Sequence, residues 1–250
     1  MRSELPAPAK LTLGLRITGR RDDGYHLIDA EMVSLDLHDI LTIDHGRVGL
    51  SVVGPCATGV PLDASNLVVR ALRFVGRRAH VTIDKRIPHG GGLGGGSADA
   101  AAVLRWAGVT DPTAAAVIGA DVAFCLVGGR ARVRGIGDII DPLPYVERTV
   151  TLVVPPLTVS TPAAYRAWDD LGGPTVNGPN DLEPAAVAVV PELALWRDRI
   201  EELSGQRPIL AGSGATWFVH GQHSNALAGL RDEGAMVVAA HTLPAAGMPA

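Results

Sequence analysis

Apolar and polar residues alternate over residues 9–18, "AKLTLGLRIT". Leu11, Leu13, Leu15 and Ile17 fall on one side, and Lys10, Thr12, Gly14 and Arg16 on the other. A period of two predicts a half-buried strand. The next stretch, "GRRDDGYH", carries Asp22-Asp23-Gly24 and predicts a turn-rich loop. Residues 30–46 read as strand again, with the alternation broken near Asp39. Helical apolar spacing covers 61–76, with Asp63 or Ser65 as cap and Gly76 as stop. "HVTIDKRIP" predicts a strand that ends at Pro88. Six glycines in seven positions follow, and then an alanine-rich helix from about Ser97 to Ala107.

The second half predicts a short helix over 112–119 and two short strands within 121–138, joined by Gly128-Gly129. A strand follows over 149–156. A helix over 161–172 starts with Thr161 as cap and Pro162 at its first position. The breaker-rich stretch 172–181 predicts a loop or lid. An amphipathic helix follows over 191–203, then strand, glycine turn and strand over 208–221, a helix over 225–235 and a strand over 236–243. The last eight residues are expected to fray. No repeat of fixed period occurs. This order predicts an α+β protein of two lobes, divided between residues 145 and 160 and here taken as 1–148 and 149–250.

Composition narrows the function classes. With 47% apolar and 19% charged residues, 250 residues can bury a large core. A net charge of -4 and scattered basic residues predict no nucleic-acid partner and no attraction to a membrane surface. Cys56 and Cys125 make neither a disulfide framework nor a zinc spacing. No apolar run approaches the roughly 18 residues of a membrane span, and "MRSELPAPAK" has no apolar signal region. A protein of the cytoplasm is expected.

The chemistry concentrates in "PHGGGLGGGSADAAAVL", residues 88–104. A P-loop needs Gly-Lys followed by Ser or Thr, and the chain has no Gly-Lys pair. Gly90, Gly92 and Gly95 satisfy the dinucleotide pattern G-x-G-x-x-G, a match that so many glycines make nearly automatic. A third reading is a glycine loop feeding the N-terminus of a helix, where free N–H groups bind a phosphate. A plain surface hinge is the alternative to all three.

The segment resembles the phosphate loop of the GHMP kinase superfamily in Pro88, Gly92, Leu93, Gly94 and Ser97. Within that superfamily, "PAKLTLGLRITGRRDDGYH", "GADVAFCLVGG" and "AGSGATWFV" are similar to the N-terminal, catalytic and C-terminal motifs of the 4-diphosphocytidyl-2-C-methyl-D-erythritol kinases. "STPAAY" and "NDLE" also fall where that family has them. The resemblance runs in order along nearly the whole chain. It implies an N-terminal lobe like ribosomal protein S5, a ferredoxin-like C-terminal lobe, and an active site between them.

The resemblance also implies residue roles. ATP is expected at Pro88, Gly90, Gly91, Gly92, Leu93, Gly94, Gly95, Gly96 and Ser97, with Mg²⁺ near Ser97 and Asp99. Lys10 and Asp121 take the catalytic roles, Asp121 as general base. Thr12, Tyr25, His26, Thr161, Tyr165, Gly212 and Gly214 fall to the substrate, a cytidine diphosphate-linked polyol phosphorylated on its 2-hydroxyl on the non-mevalonate route to isoprenoids. Tyr25 and Tyr165 are expected to sandwich the base, and His26 to read its edge through the backbone. The family has asparagine where this chain has Thr12, and proline where it has Ala123. Lys85 and His89 read as solvated flanks, and Cys125 as core. The assembly is expected to be a monomer or homodimer. Other readings are a homoserine- or mevalonate-type kinase, a nucleotide-binding relative without catalysis and, more distantly, a dinucleotide oxidoreductase.

Overall fold

The computed structural model describes residues 2–175 and 177–245. Six strands make the N-terminal part of one sheet: β1 (Arg2–Arg20), β2 (His26–Asp44), β3 (Gly49–Val53), β4 (His80–Asp84), β5 (Arg130–Gly135) and β6 (Ile139–Leu143). The long strand β2 is its centre and pairs antiparallel with β1, β4 and β5. Four helices accompany it: α1 (Leu67–Phe74), α2 (Gly95–Trp106), α3 (Pro112–Ala116) and α4 (Ala120–Val127). Helix α2 packs on β1 and β2, and its Ala98, Ala101 and Ala102 are buried in the N-terminal core. Leu104 of the same helix is fully buried, which stabilises the fold by about 2–3 kcal/mol.

The C-terminal part holds β7 (Thr149–Val154), α5 (Thr161–Asp170), α6 (Glu183–Val189), α7 (Glu192–Ser204), β8 (Ile209–Leu210), β9 (Trp217–His220), a 3₁₀ turn (Ala228–Arg231) and β10 (Met236–Leu243). Its strand order β10-β7-β9-β8 puts the first strand between the fourth and the third, the ferredoxin-like arrangement. Thr242 and Leu243 of β10 pair with Leu35 and Ser34 of β2, so the two parts share one sheet. They also share a core in which Leu11, Leu13 and Leu35 meet Leu152 and Phe218.

Several elements differ from the sequence reading. Strand β1 begins at Arg2, seven residues early, and runs through Pro6 and Pro8. Among the named strands it pairs only with β2, and at Pro6 and Pro8 its other edge makes no strand ladder, which is where a strand accepts proline. Register shifts between Pro8 and Lys10 and between Thr12 and Gly14 split its expected apolar face. Leu11 and Leu13 enter the shared core, while Leu15 and Ile17 enter the N-terminal core with α2 and α4. Residues 120–127 form helix α4, not a strand: with five of eight residues buried, tertiary packing overrode the β-like composition. The actual hairpin is β5–β6.

Strands β3 and β6 and helix α6 carried no pattern that separated them from loop. The helix over 61–76 shrinks to α1, capped by Asn66, whose side chain accepts from Val68 N–H. Helix α5 is capped by Ser160 rather than Thr161. The helix expected over 225–235 is a single 3₁₀ turn. Of the tail expected to fray, 246–250 lie outside the described residues, as does Val176 in the stretch 172–181.

Candidate active site

A cleft of about 680 Å³ opens between the two parts, lined by β1, the 20–26 loop, Gly92, Ser97, the start of α4, α5 and the Gly212–Ser213 turn. At one end stand Lys10, Thr12 and Asp121. Lys10 and Thr12 are 5% and 1% exposed and share one face of β1, as the alternation predicted. The Lys10 ammonium donates to Thr12 Oγ1 at 3.2 Å and stands 3.5 Å from Asp121 Oδ2. Asp121 lies in the first turn of α4, where the helix N-terminus favours a carboxylate. Its side chain is 38% exposed and reaches the cleft. Ala123 is an ordinary buried residue of the same helix.

The glycine loop lies beside this pair. Gly90, Gly92 and Gly94 have φ of 77°, 79° and 67°, while Gly91 and Leu93 between them do not have positive φ. Alternation of that kind turns successive N–H groups toward one side, an anion-binding nest. Gly94 is the N-cap of α2, which begins at Gly95 and has no side-chain cap, so Ser97 belongs to the first turn instead of capping it. Two positions accept only glycine because lysines press against them. A Cβ on Gly94 would stand 2.6 Å from Lys10 Cγ, and one on Gly95 would stand 2.7 Å from Lys85 Nζ. Lys10 and Lys85 are the only lysines of the chain.

Lys85 is not solvated. It is 2% exposed, and its ammonium lies between Asp39 and Asp99, 2.8 Å from Asp99 Oδ2. Burial works against its charge, but Asp99 and Asp39 outweigh it and hold the ammonium above its ordinary pKa. Asp39 Oδ1 also accepts from the N–H groups of Arg86 and Ile87, at 2.6 and 2.8 Å. Those bonds end strand β4 at Asp84 and lead the chain into the loop. The broken alternation near Asp39 is the trace this buried carboxylate left in the sequence. Burial pushes the Asp99 carboxyl up, against the pull of Lys85. Asp99 is shut in with that ammonium and is absent from the cleft lining, so the magnesium role expected of it is not met. His89 is exposed, as read.

The loop is tied to the C-terminal part through Gly91, whose carbonyl accepts from Thr216 N–H at 3.2 Å and from the Thr216 hydroxyl. Gly212 and Ser213 reach the cleft, whereas Gly214 faces Leu210 and Val159 behind it. Asn180, from "NDLE", holds this turn: its amide donates to the carbonyls of Leu210 and Gly212 at 2.8 and 2.7 Å. Thr161 and Ser213 hydroxyls bond at 2.8 Å across the cleft.

At the far end the His26 ring stacks on Tyr165 at 4.8 Å and meets Trp168 edge-on at 5.6 Å. His26 Nε2 bonds Asp169 Oδ1 at 2.8 Å. Tyr25 is 61% exposed at the rim. His26, rather than Tyr25, lies against a face of Tyr165. Burial, aided by the charge of Asp121, pushes the Tyr165 phenol up to about 12. Cys125 is buried as read, its thiol pushed up to about 12 by burial. Arg20, Ser213 and Arg166 also line the cleft; the first two lie within the N-terminal and C-terminal motifs but were not singled out, and Arg166 directly follows "STPAAY".

Residues 66–129 match the family described as the GHMP kinases N terminal domain. A 4-diphosphocytidyl-2-C-methyl-D-erythritol kinase of Paracoccus denitrificans (strain Pd 1222) is 42% identical over 231 residues, which cover 85% of this chain and 84% of that one. A crystal structure of 4-(cytidine 5'-diphospho)-2C-methyl-D-erythritol kinase superposes with a TM-score of 0.78 at 33% identity, covering 96% of this chain and 99% of its own. A mevalonate kinase structure shares the fold alone, with a TM-score of 0.63 at 11% identity over 97% of this chain and 99% of its own. No described helix is long and apolar enough to cross a membrane.

Proposed function

The chain belongs to the family of 4-diphosphocytidyl-2-C-methyl-D-erythritol kinases, and on that premise we propose a division of labour among the residues of its cleft. It is an ATP-dependent small-molecule kinase of GHMP type that phosphorylates the 2-hydroxyl of 4-diphosphocytidyl-2-C-methyl-D-erythritol, a step in isoprenoid precursor synthesis. The observation that carries the division is the 3.5 Å approach of Lys10 to Asp121 beside the glycine loop.

Phosphoryl transfer needs the donor phosphates held, the acceptor oxygen aligned and the developing charge met. The alternating amides of Gly90 to Gly94 and the uncapped start of α2 hold the phosphates. Asp121 takes the proton of the acceptor hydroxyl as its oxygen bonds to the γ-phosphorus, and ADP leaves with the electrons of the broken P–O bond. Lys10 orients Asp121 and offers its charge to the transferring group. Thr12 accepts a bond from that ammonium and fixes its direction.

Magnesium bound to nucleotide phosphates needs only one or two protein oxygens. Among the described residues no cluster of three or more His, Cys, Asp or Glu offers a site of its own. The Ser97 hydroxyl, on the cleft wall, fits the role; Asp99, closed in with Lys85, does not. When bound, the ion neutralises charge on the phosphates. His26, Tyr165 and Tyr25 mark the base end of the substrate, and Thr161, Ser213 and Gly212 lie between the two ends.

The test is ADP release from Mg-ATP with and without the acceptor, beside Asp121→Asn. Release that depends on the acceptor and falls about 100-fold or more in the variant supports the assignment. Acceptor-dependent release that persists in the variant overturns Asp121 as base, and ATP binding without turnover favours a relative that has lost catalysis.

A further inference from the structure

The acceptor carries a diphosphate between its base and its polyol, so two negative charges must enter a cleft that already holds three carboxylates. Asp121 faces Lys10. Asp169 receives Arg20 at 3.3 Å and His26 at 2.8 Å. Asp23 receives Arg21 at 2.7 Å. The cations Lys10 and Arg20 are thus engaged. Arg166 also lines the cleft and is exposed, and its side chain makes no hydrogen bond or ion pair with any described residue.

Its place on α5 gives the charge a position along the substrate. Thr161 at the start of that helix bonds Ser213, next to Gly212, Thr12 and Lys10. Tyr165 and Asp169, one and two turns on, hold His26 at the base end. A helix rises about 1.5 Å per residue, so Thr161 and Asp169 stand about 12 Å apart along the axis. Arg166 falls between them, beside Tyr165. A guanidinium there can grip two phosphate oxygens at once.

Resting on the kinase reading above, we propose that Arg166 is the residue that binds the diphosphate of the acceptor. It selects for an acceptor with a nucleoside diphosphate and leaves ATP binding untouched. The three carboxylates that line the cleft keep their own cations, so Arg166 gives up no ion pair to take the ligand.

The experiment compares wild type with Arg166→Met, which keeps the stem and loses the charge, and with Arg166→Lys. Steady-state kinetics give KM for acceptor and for ATP, and calorimetry gives the affinity for cytidine and for cytidine 5'-diphosphate. The expected result for Met is an acceptor KM raised about 10- to 100-fold, the loss of a charge-assisted contact, with the KM for ATP within about twofold. Affinity for cytidine 5'-diphosphate falls in parallel while that for cytidine holds, and Lys restores part of the loss. An unchanged acceptor KM, or equal losses for cytidine and its diphosphate, overturns the proposal. Wild-type protein that binds cytidine 5'-diphosphate but releases no ADP overturns the kinase reading instead, and the comparison of diphosphate with cytidine still decides on Arg166.

Discussion

The stem of Lys10 lies against Gly94 so closely that a Cβ there would stand 2.6 Å from Lys10 Cγ. The same lysine receives its backbone partner from the loop, since its N–H donates to the Leu93 carbonyl at 3.0 Å. The phosphate loop and the lysine that faces Asp121 are therefore one rigid unit. On the proposed division of labour, the same contact aligns donor and acceptor.

Gly94→Ala tests that coupling. An L-residue at φ 67° costs about 1–2 kcal/mol, and the new methyl must displace the Lys10 stem. The expected outcome is a modest fall in Tm with a fall in kcat of about 100-fold, since a shift of about 1 Å is enough to misalign the reacting groups. Thermal unfolding and steady-state kinetics on one preparation read both.

Lys85→Met leaves Asp39 and Asp99 buried without their cation. Removing one partner of a buried pair costs about 3–5 kcal/mol. A loss of that size lowers Tm by roughly 10 °C in a chain of this length. The triple variant Lys85→Met, Asp39→Asn, Asp99→Asn is expected to recover part of it. Native-state acetylation gives a second check: Lys10 and Lys85, both buried, resist the reagent until the protein unfolds.

Asn180→Asp sets carboxylate oxygens where the amide now donates to the carbonyls of Leu210 and Gly212. Two acceptors lose their donor, and each buried loss costs about 1–3 kcal/mol. The Gly212 turn, which faces Thr12 and Lys10, is expected to move, so kcat falls along with the urea midpoint. Asn180→Asp with wild-type stability and turnover would show that the turn holds itself.

Tyr165 gives the protein an alkaline signature. Its phenol ionises near 12 in the folded state, raised by burial and then by Asp121, against about 10 when unfolded. Between those values the native state keeps a proton that the unfolded chain has released. Its contribution to stability is complete below pH 10 and is lost as pH rises toward 12. Absorbance at 295 nm is expected to show one late tyrosine step that Tyr165→Phe removes, together with a flatter alkaline limb of Tm.

Much of the site was legible because its groups lie in short motifs. The glycine run, the Lys10–Thr12 spacing on one strand face and the aspartate after Gly119 all appear as neighbours in the sequence. Period two brought Lys10 and Thr12 to the same side, and the structure keeps them there. Helix α4 was misread because an apolar run of eight residues suits a strand or a buried helix equally. The face of β1 was misread because bulges, invisible in its alternation, switch its side chains between two cores.

The amino-acid order alone settles the local chemistry: where the chain turns, and where a run of glycines leads into a helix. Those properties depend on residues a few places apart, and periodicity reports them. Folding decides which distant charges meet. Lys10 reaches Asp121, Lys85 sinks between Asp39 and Asp99, His26 covers Tyr165, and the Arg166 side chain has no partner among the described residues at the cleft. A charge has no period, and its worth depends on the partner and the burial it finds. Only packing of sheet, loop and helices in three dimensions assigns both.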